Sequence, residues 1–269
     1  MNTTLYKQMM KVNMKGFMNY AIGSAFYIIL MFWLYPSIGQ SAKAIDELVQ
    51  SMPEGVGRAF GLNGFGSAEA FISGEYYGLI LVLILAIVCV QLSTQLMAKL
   101  IDQGAMGYLL ATPTTRGKVA FTQASVLVTG LFLIMAVTTL AGFLANIWFL
   151  RGEFDFNTSK FIEMNIAAFL LFFAIGGICF LISALSNDEK KALSLSGVIT
   201  FGFFSLDLLA KISEQISWMK YFSIFTLYKP GEIINGNVDL TVSLSVLFII
   251  GVITFGLAVM LFKKRDLPL

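Results

Sequence analysis

Of 269 residues, 57% are hydrophobic and only 13% are charged, a balance that excludes an ordinary water-soluble domain and sets an all-α integral membrane protein as the expectation. A formal net charge of +2 offers nothing for nucleic-acid binding. With no histidine, and with Cys89 and Cys179 both inside apolar runs where they read as packing residues, the sequence identifies no catalytic and no metal-ligating residue.

The chain opens with Lys7, Lys11 and Lys15 four residues apart, which sets three ammonium groups on one side of a helix, with Leu5, Met9, Val12 and Phe17 elsewhere on the wheel. This spacing predicts an amphipathic helix over 1–15 lying in the inner interface. A cleaved signal peptide is the alternative, but the apolar run 16–38 is long enough to span and becomes the first transmembrane helix. Five more spans are expected at 76–98, 119–144, 161–183, 192–209 and 242–262, ahead of a tail at 263–269. Six spans put both ends on one side. Eleven of the eighteen Lys and Arg residues fall on that side, against twelve of the sixteen acids on the other, so the termini are expected in the cytoplasm.

On the outer side, 39–75 is expected to cap the mouth, with a short helix near 42–52. In 210–239, Ile212, Ile216, Met219 and Phe222 are spaced as on an amphipathic helix, followed by a turn at Tyr228-Lys229-Pro230-Gly231. This segment reads equally as a partly re-entrant hairpin or as a helix resting on headgroups.

The inner segment 99–118 has the strongest internal pattern. Residues 103–111 can form a few helical turns, and Pro113 stops them because it lacks an N–H and biases Thr112 to extended backbone. Met106, Leu109 and Leu110 share a side that can dock on another surface. An ordinary interfacial loop is the alternative.

This stretch resembles the segment after the second helix of type-2 ATP-binding-cassette (ABC) exporter permeases: an acid, then Gly, then Leu-Leu, then Pro and Arg. Asp102, Gly104, Leu109, Leu110, Pro113 and Arg116 fall on those places. Asp102 stands where Glu is usual, and Gln123 where Lys often begins the third helix. With the basic start, the six spans and the broken segment before the sixth, the resemblance covers essentially the whole chain. Short single-domain permeases of this shape resemble the exporters of phenol-soluble modulins and lantibiotics.

The resemblance implies a half-channel that pairs as a homodimer and takes force from a cytoplasmic ABC ATPase, two copies per complex. The force would enter through a coupling helix, here about Gln103 to Ala111. Residues 1–15 would be the family's elbow helix, and Asp188, Glu189 and Lys190, in the loop 184–191, a second ATPase contact. ATP and Mg would be held by the partner, and no cofactor is expected on this chain, which has no Gly-x4-Gly-Lys-Ser/Thr phosphate loop. Arg116-Gly117-Lys118-Val119 lacks both the first glycine and the hydroxyl.

A polar-aromatic stripe on the first span, including Tyr20, Ser24, Tyr27, Met31 and Tyr35, and a second made by Gln91 and Gln95, are expected to face protein or a substrate path. Ordinary helix packing is the alternative for each. Asp207 is the one carboxylate placed to enter a span, with Lys211 four residues on as an ion-pair partner. The expected function is export across a bacterial plasma membrane of an amphipathic or antimicrobial peptide. Small drugs or lipids are alternative substrates, and a channel or secondary transporter not coupled to ATP is the alternative class.

Overall fold

The computed structural model describes residues 1–39, 41, 67–150, 156–236 and 240–266. Among them no strand occurs, and six helical stretches are long and apolar enough to cross a membrane: Thr3–Gly39, Ala68–Asp102, Arg116–Leu150, Thr158–Leu185, Glu189–Ile212 and Leu240–Lys264. The short helix expected near 42–52 lies outside the described residues.

The first span is α1 (Thr3–Gly39). At 1.5 Å per residue its 37 residues reach about 55 Å, well past a hydrocarbon core of about 30 Å, so the lysine-bearing start projects beyond the spanning part. The expected boundary between an elbow helix and a span is absent. Residues 1–15 and 16–38 join in one helix, because nothing between Lys15 and Phe17 breaks the hydrogen-bond ladder. Its buried residues Phe17, Ala21, Ser24, Ile28, Met31 and Tyr35 alternate at four and three residues, a coiled-coil seam.

The second span begins earlier than its apolar run. Ser67 caps α2 (Ala68–Ile72), which continues as a π-helix over Ser73–Ile80 into α3 (Leu81–Leu96). Hydropathy misses this start because Glu69 and Glu75 interrupt it. Glu69 is nevertheless buried and accepts the backbone N–H of Asn157, tying the second span to the start of the fourth. Two short helices follow, α4 (Ala98–Asp102) and α5 (Ala105–Leu110). Then come the spans α6 (Arg116–Ala145), extended by a π-helix over Asn146–Leu150, α7 (Thr158–Leu185) and α8 (Glu189–Ile212).

Two close crossings organise the bundle. The α1 seam packs along α6, where Gly130 admits the Phe17 ring: a Cβ there would lie 2.1 Å from it. α7 packs along the last span, α10 (Leu240–Lys264), at Gly177 and Gly251, where a Cβ on Gly177 would sit 2.2 Å from Thr254 Oγ1 and 3.2 Å from the Gly251 carbonyl. Without a hydrophobic drive between helices in lipid, such close approach is the main source of cohesion.

Between α8 and α10 the chain forms two 3-10 segments, Glu214–Phe222 and Ile224–Leu227, then α9 (Pro230–Asn235), which ends on Gly236 at φ 70. The chain here turns back along α8. Ser223 Oγ donates to the Phe203 carbonyl at 2.6 Å, and the Thr226 hydroxyl has two acceptors in reach of its one proton, the Lys220 carbonyl at 2.7 Å and Asp207 Oδ1 at 3.2 Å. Phe203 lies nine residues before the end of α8, so the return descends about 13 Å. The α-helical spacing expected in 210–239 gives way to 3-10 turns.

Candidate functional site

Both described chain ends and two inter-helix turns gather at one end of the bundle. α3 breaks at Met97 (φ −126, ψ −73), and α7 repairs the break: Ser183 Oγ accepts Ala98 N–H at 3.0 Å and donates to the Ser93 carbonyl at 2.7 Å. Gly104 adopts φ 70, a left-handed turn that L side chains adopt only with strain, and α5 starts immediately after it. The expected helix over 103–111 is therefore shorter than predicted, and Gln103 and Gly104 form the exposed corner that aims it.

On α5 the predicted apolar side faces inward. Met106 is fully buried and Leu109 and Leu110 pack partly against the core, while Tyr108 stands 83% exposed. Tyr108 was missed by the sequence reading, although at two residues from Met106 it falls about 200° around the helix. Thr112-Pro113 ends the segment as expected, and Thr115 caps α6 by accepting Lys118 N–H. A shallow depression of about 480 Å³ lies between Gly107, Leu110 and Arg116.

Asp102, though exposed, is engaged within the chain. Its Oδ2 accepts the backbone N–H of Glu189, the first residue of α8, at 3.2 Å, while Asp188 Oδ1 caps Lys191 N–H at 2.7 Å. Two carboxylates from different turns thus satisfy orphan donors at one helix N-terminus, where the helix dipole favours negative charge. Lys99 Nζ adds an ion pair with Glu189 Oε1 at 3.4 Å. Lys190 is exposed beside them.

The C-terminal end locks the same face. Arg265 donates to the Ala184 and Ser186 carbonyls at 2.6 and 3.1 Å and to Asn187 Oδ1, while its own carbonyl accepts from Arg116. Partial burial pushes the Arg265 guanidinium below its usual value, though arginine keeps its charge. At the other terminus, Asn2 donates to Thr122 and Thr114, both at 2.9 Å.

Of the expected path residues, Tyr20 and Gln91 meet, while Met31 and Asp207 lie elsewhere. Tyr20 Oη donates to Gln91 Oε1 at 2.6 Å on the outside of α1 and α3, and Gln91 and Gln95 are exposed there. Tyr27 is half-buried, stacked 6.0 Å from Tyr76. Met31 is buried in the α1 seam, with Ser24 and Tyr35. Asp207 lies apart on α8, 5% exposed, paired with Lys211 at 2.6 Å and bonded to Thr226.

A family model described as ABC-2 family transporter protein matches residues 6–267. None of the curated proteins compared with the chain matches it.

Proposed function

We propose a specific export role from one premise: the chain belongs to the ABC-2 transporter family and is the multi-pass membrane permease of an ABC transporter whose ATPase is a separate subunit. It works as a homodimer in a bacterial plasma membrane, with both termini and the α3–α6 and α7–α8 turns in the cytoplasm. Two partner ATPases bind ATP and Mg and push on α5. The observation that carries this reading is the hydrogen-bonded union of the coupling segment with the start of α8 through Asp102 and Lys99.

That union supports a mechanical route. Force on α5 reaches the N-terminus of α8, and α8 carries it to the opposite end, where Phe203 and Asp207 hold the return segment. An ATP-bound partner that prefers one position of α5 would bias that segment toward one position as well. Gln91 and Gln95, exposed on a stretch of mean hydropathy 2.5, would be poorly satisfied by lipid. A second permease copy covering them accounts for their exposure and gives the substrate path two polar walls, with Tyr20 and Tyr27 beside them.

The substrate favoured is an amphipathic or antimicrobial peptide, because an aromatic- and Met-rich interior repacks around varied apolar faces. The test is ATPase activity of the permease reconstituted with its ATPase. Wild type is expected to be stimulated by an amphipathic peptide, and Leu109→Asp with Leu110→Asp to lose that stimulation. Equal stimulation in both forms would reject the coupling role.

A further inference from the structure

At the end of α8 away from the coupling segment, a cavity of about 500 Å³ opens between the π-helix Ser73–Ile80, α8 and the return segment, a size suited to a small ligand. The π-helix presents Gly74 and Gly78, which carry no side chain to fill it, and π-helical turns recur at functional sites. Val82, Phe204 and Phe225 give it apolar walls, and Phe225 is buried against Phe204 at 5.5 Å between ring centroids.

The charges around it do not balance. Lys211 is paired with Asp207 at 2.6 Å, and Lys229 with Glu232 at 3.1 Å. Lys220 also lines the cavity; it lies 5.2 Å from the Tyr221 ring centroid, and among the described side chains no carboxylate pairs with it. Among the described lining residues, the exposed Lys220 is left as one positive charge beside apolar walls. That combination calls for a ligand with one negative head and an apolar chain, since an ammonium pairs with a phosphate oxygen as a charge-assisted hydrogen bond.

We propose that this cavity binds a monoanionic phosphodiester amphiphile, its phosphate on Lys220 and its chain against Val82, Phe204 and Phe225. The site is separate from the coupling face: along α8, its residues Phe204 to Lys211 stand about 23–33 Å from Glu189. The assignment therefore stands or falls without the ATPase.

The test is native mass spectrometry of the full chain in detergent, titrated with dioleoylphosphatidylglycerol. Wild type is expected to retain one lipid, and Lys220→Gln and Lys220→Glu to weaken retention about tenfold. Dioleoylphosphatidylcholine, whose head is zwitterionic, is expected to be washed away, and Phe204→Ala to shorten retention of the anionic lipid. Equal retention of the two lipids, or unchanged retention in both Lys220 variants, overturns the proposal. Competition by soluble glycerophosphoglycerol as strong as by the lipid would make this a free phosphodiester site and overturn the amphiphile assignment.

Discussion

Asp102 shows what a motif residue does when its partner is visible. In the sequence it marks only the resemblance to a family pattern; in the fold its carboxylate caps a helix 87 residues away. That role was illegible because a cap in trans leaves no local spacing. Asp188, by contrast, sits three residues before Lys191, and that spacing can be read as a cap. Because Asp102 and its partners are substantially exposed, their contribution to stability is small, about 0–1 kcal/mol. Asp102→Leu is thus expected to leave the melting temperature nearly unchanged while lowering peptide-stimulated ATPase activity of the reconstituted complex. A large drop in melting temperature would assign Asp102 a folding role instead.

Asp207 differs in burial. Asp207→Ala removes the Lys211 ion pair and the Thr226 hydrogen bond together, and loss of a buried charge-assisted bond costs about 1.5–3 kcal/mol. The expected readout is amide hydrogen exchange over Glu214–Leu227 at least about tenfold faster than in wild type, with the distant α7–α10 contact unaffected. The ion pair with Lys211 was readable from the i,i+4 spacing; the Thr226 bond was not, since it depends on the chain reversing.

Among the elements, the spans were legible because lipid demands long apolar helices, and their count agrees with the expectation. Their ends were less legible. Hydropathy placed the second span at 76, yet the helix starts at Ala68, where Ser67 caps it and the buried Glu69 accepts the backbone N–H of Asn157. α1 was divided at 15 on chemistry that changes, from lysine-bearing to apolar, without any residue that ends a helix. The return segment was recognised as irregular, but its 3-10 form reflects tertiary bonds to Phe203 and Asp207 that local spacing does not encode.

Helix pairing could not be read at all. α7 and α10 approach at Gly177 and Gly251, and neither glycine stands out among the chain's 24. Gly177→Val would press into Thr254, Phe255 and the Gly251 carbonyl, so overpacking is expected to cost about 1–3 kcal/mol. Thermal unfolding in detergent would show this as a lower midpoint. An unchanged midpoint would mean that the crossing has room that the packing does not show.

For the whole molecule, the end that carries both described chain ends is one connected surface. Asn2, Asp102, Thr114, Arg116, the α7–α8 turn and Arg265 are linked by hydrogen bonds on either side of α5. At the other end, the return segment and the charged cavity ride on the same α8. The family resemblance is carried by six residues between Asp102 and Arg116, whereas Tyr108, the most exposed aromatic among the described residues, belongs to no part of that pattern.

The most direct test of the coupling account is site-specific cross-linking from α5. The native Cys89 and Cys179 are both buried, so a single introduced cysteine can be addressed. Tyr108→Cys, treated with a short bifunctional thiol-to-amine reagent in membranes that contain the ATPase, is expected to give a permease–ATPase adduct. Trp218→Cys, exposed on the return segment at the other end, is expected to give none. Absence of an adduct from Tyr108→Cys, or equal adducts from both positions, would contradict the assignment of α5 as the surface that receives force from the ATPase.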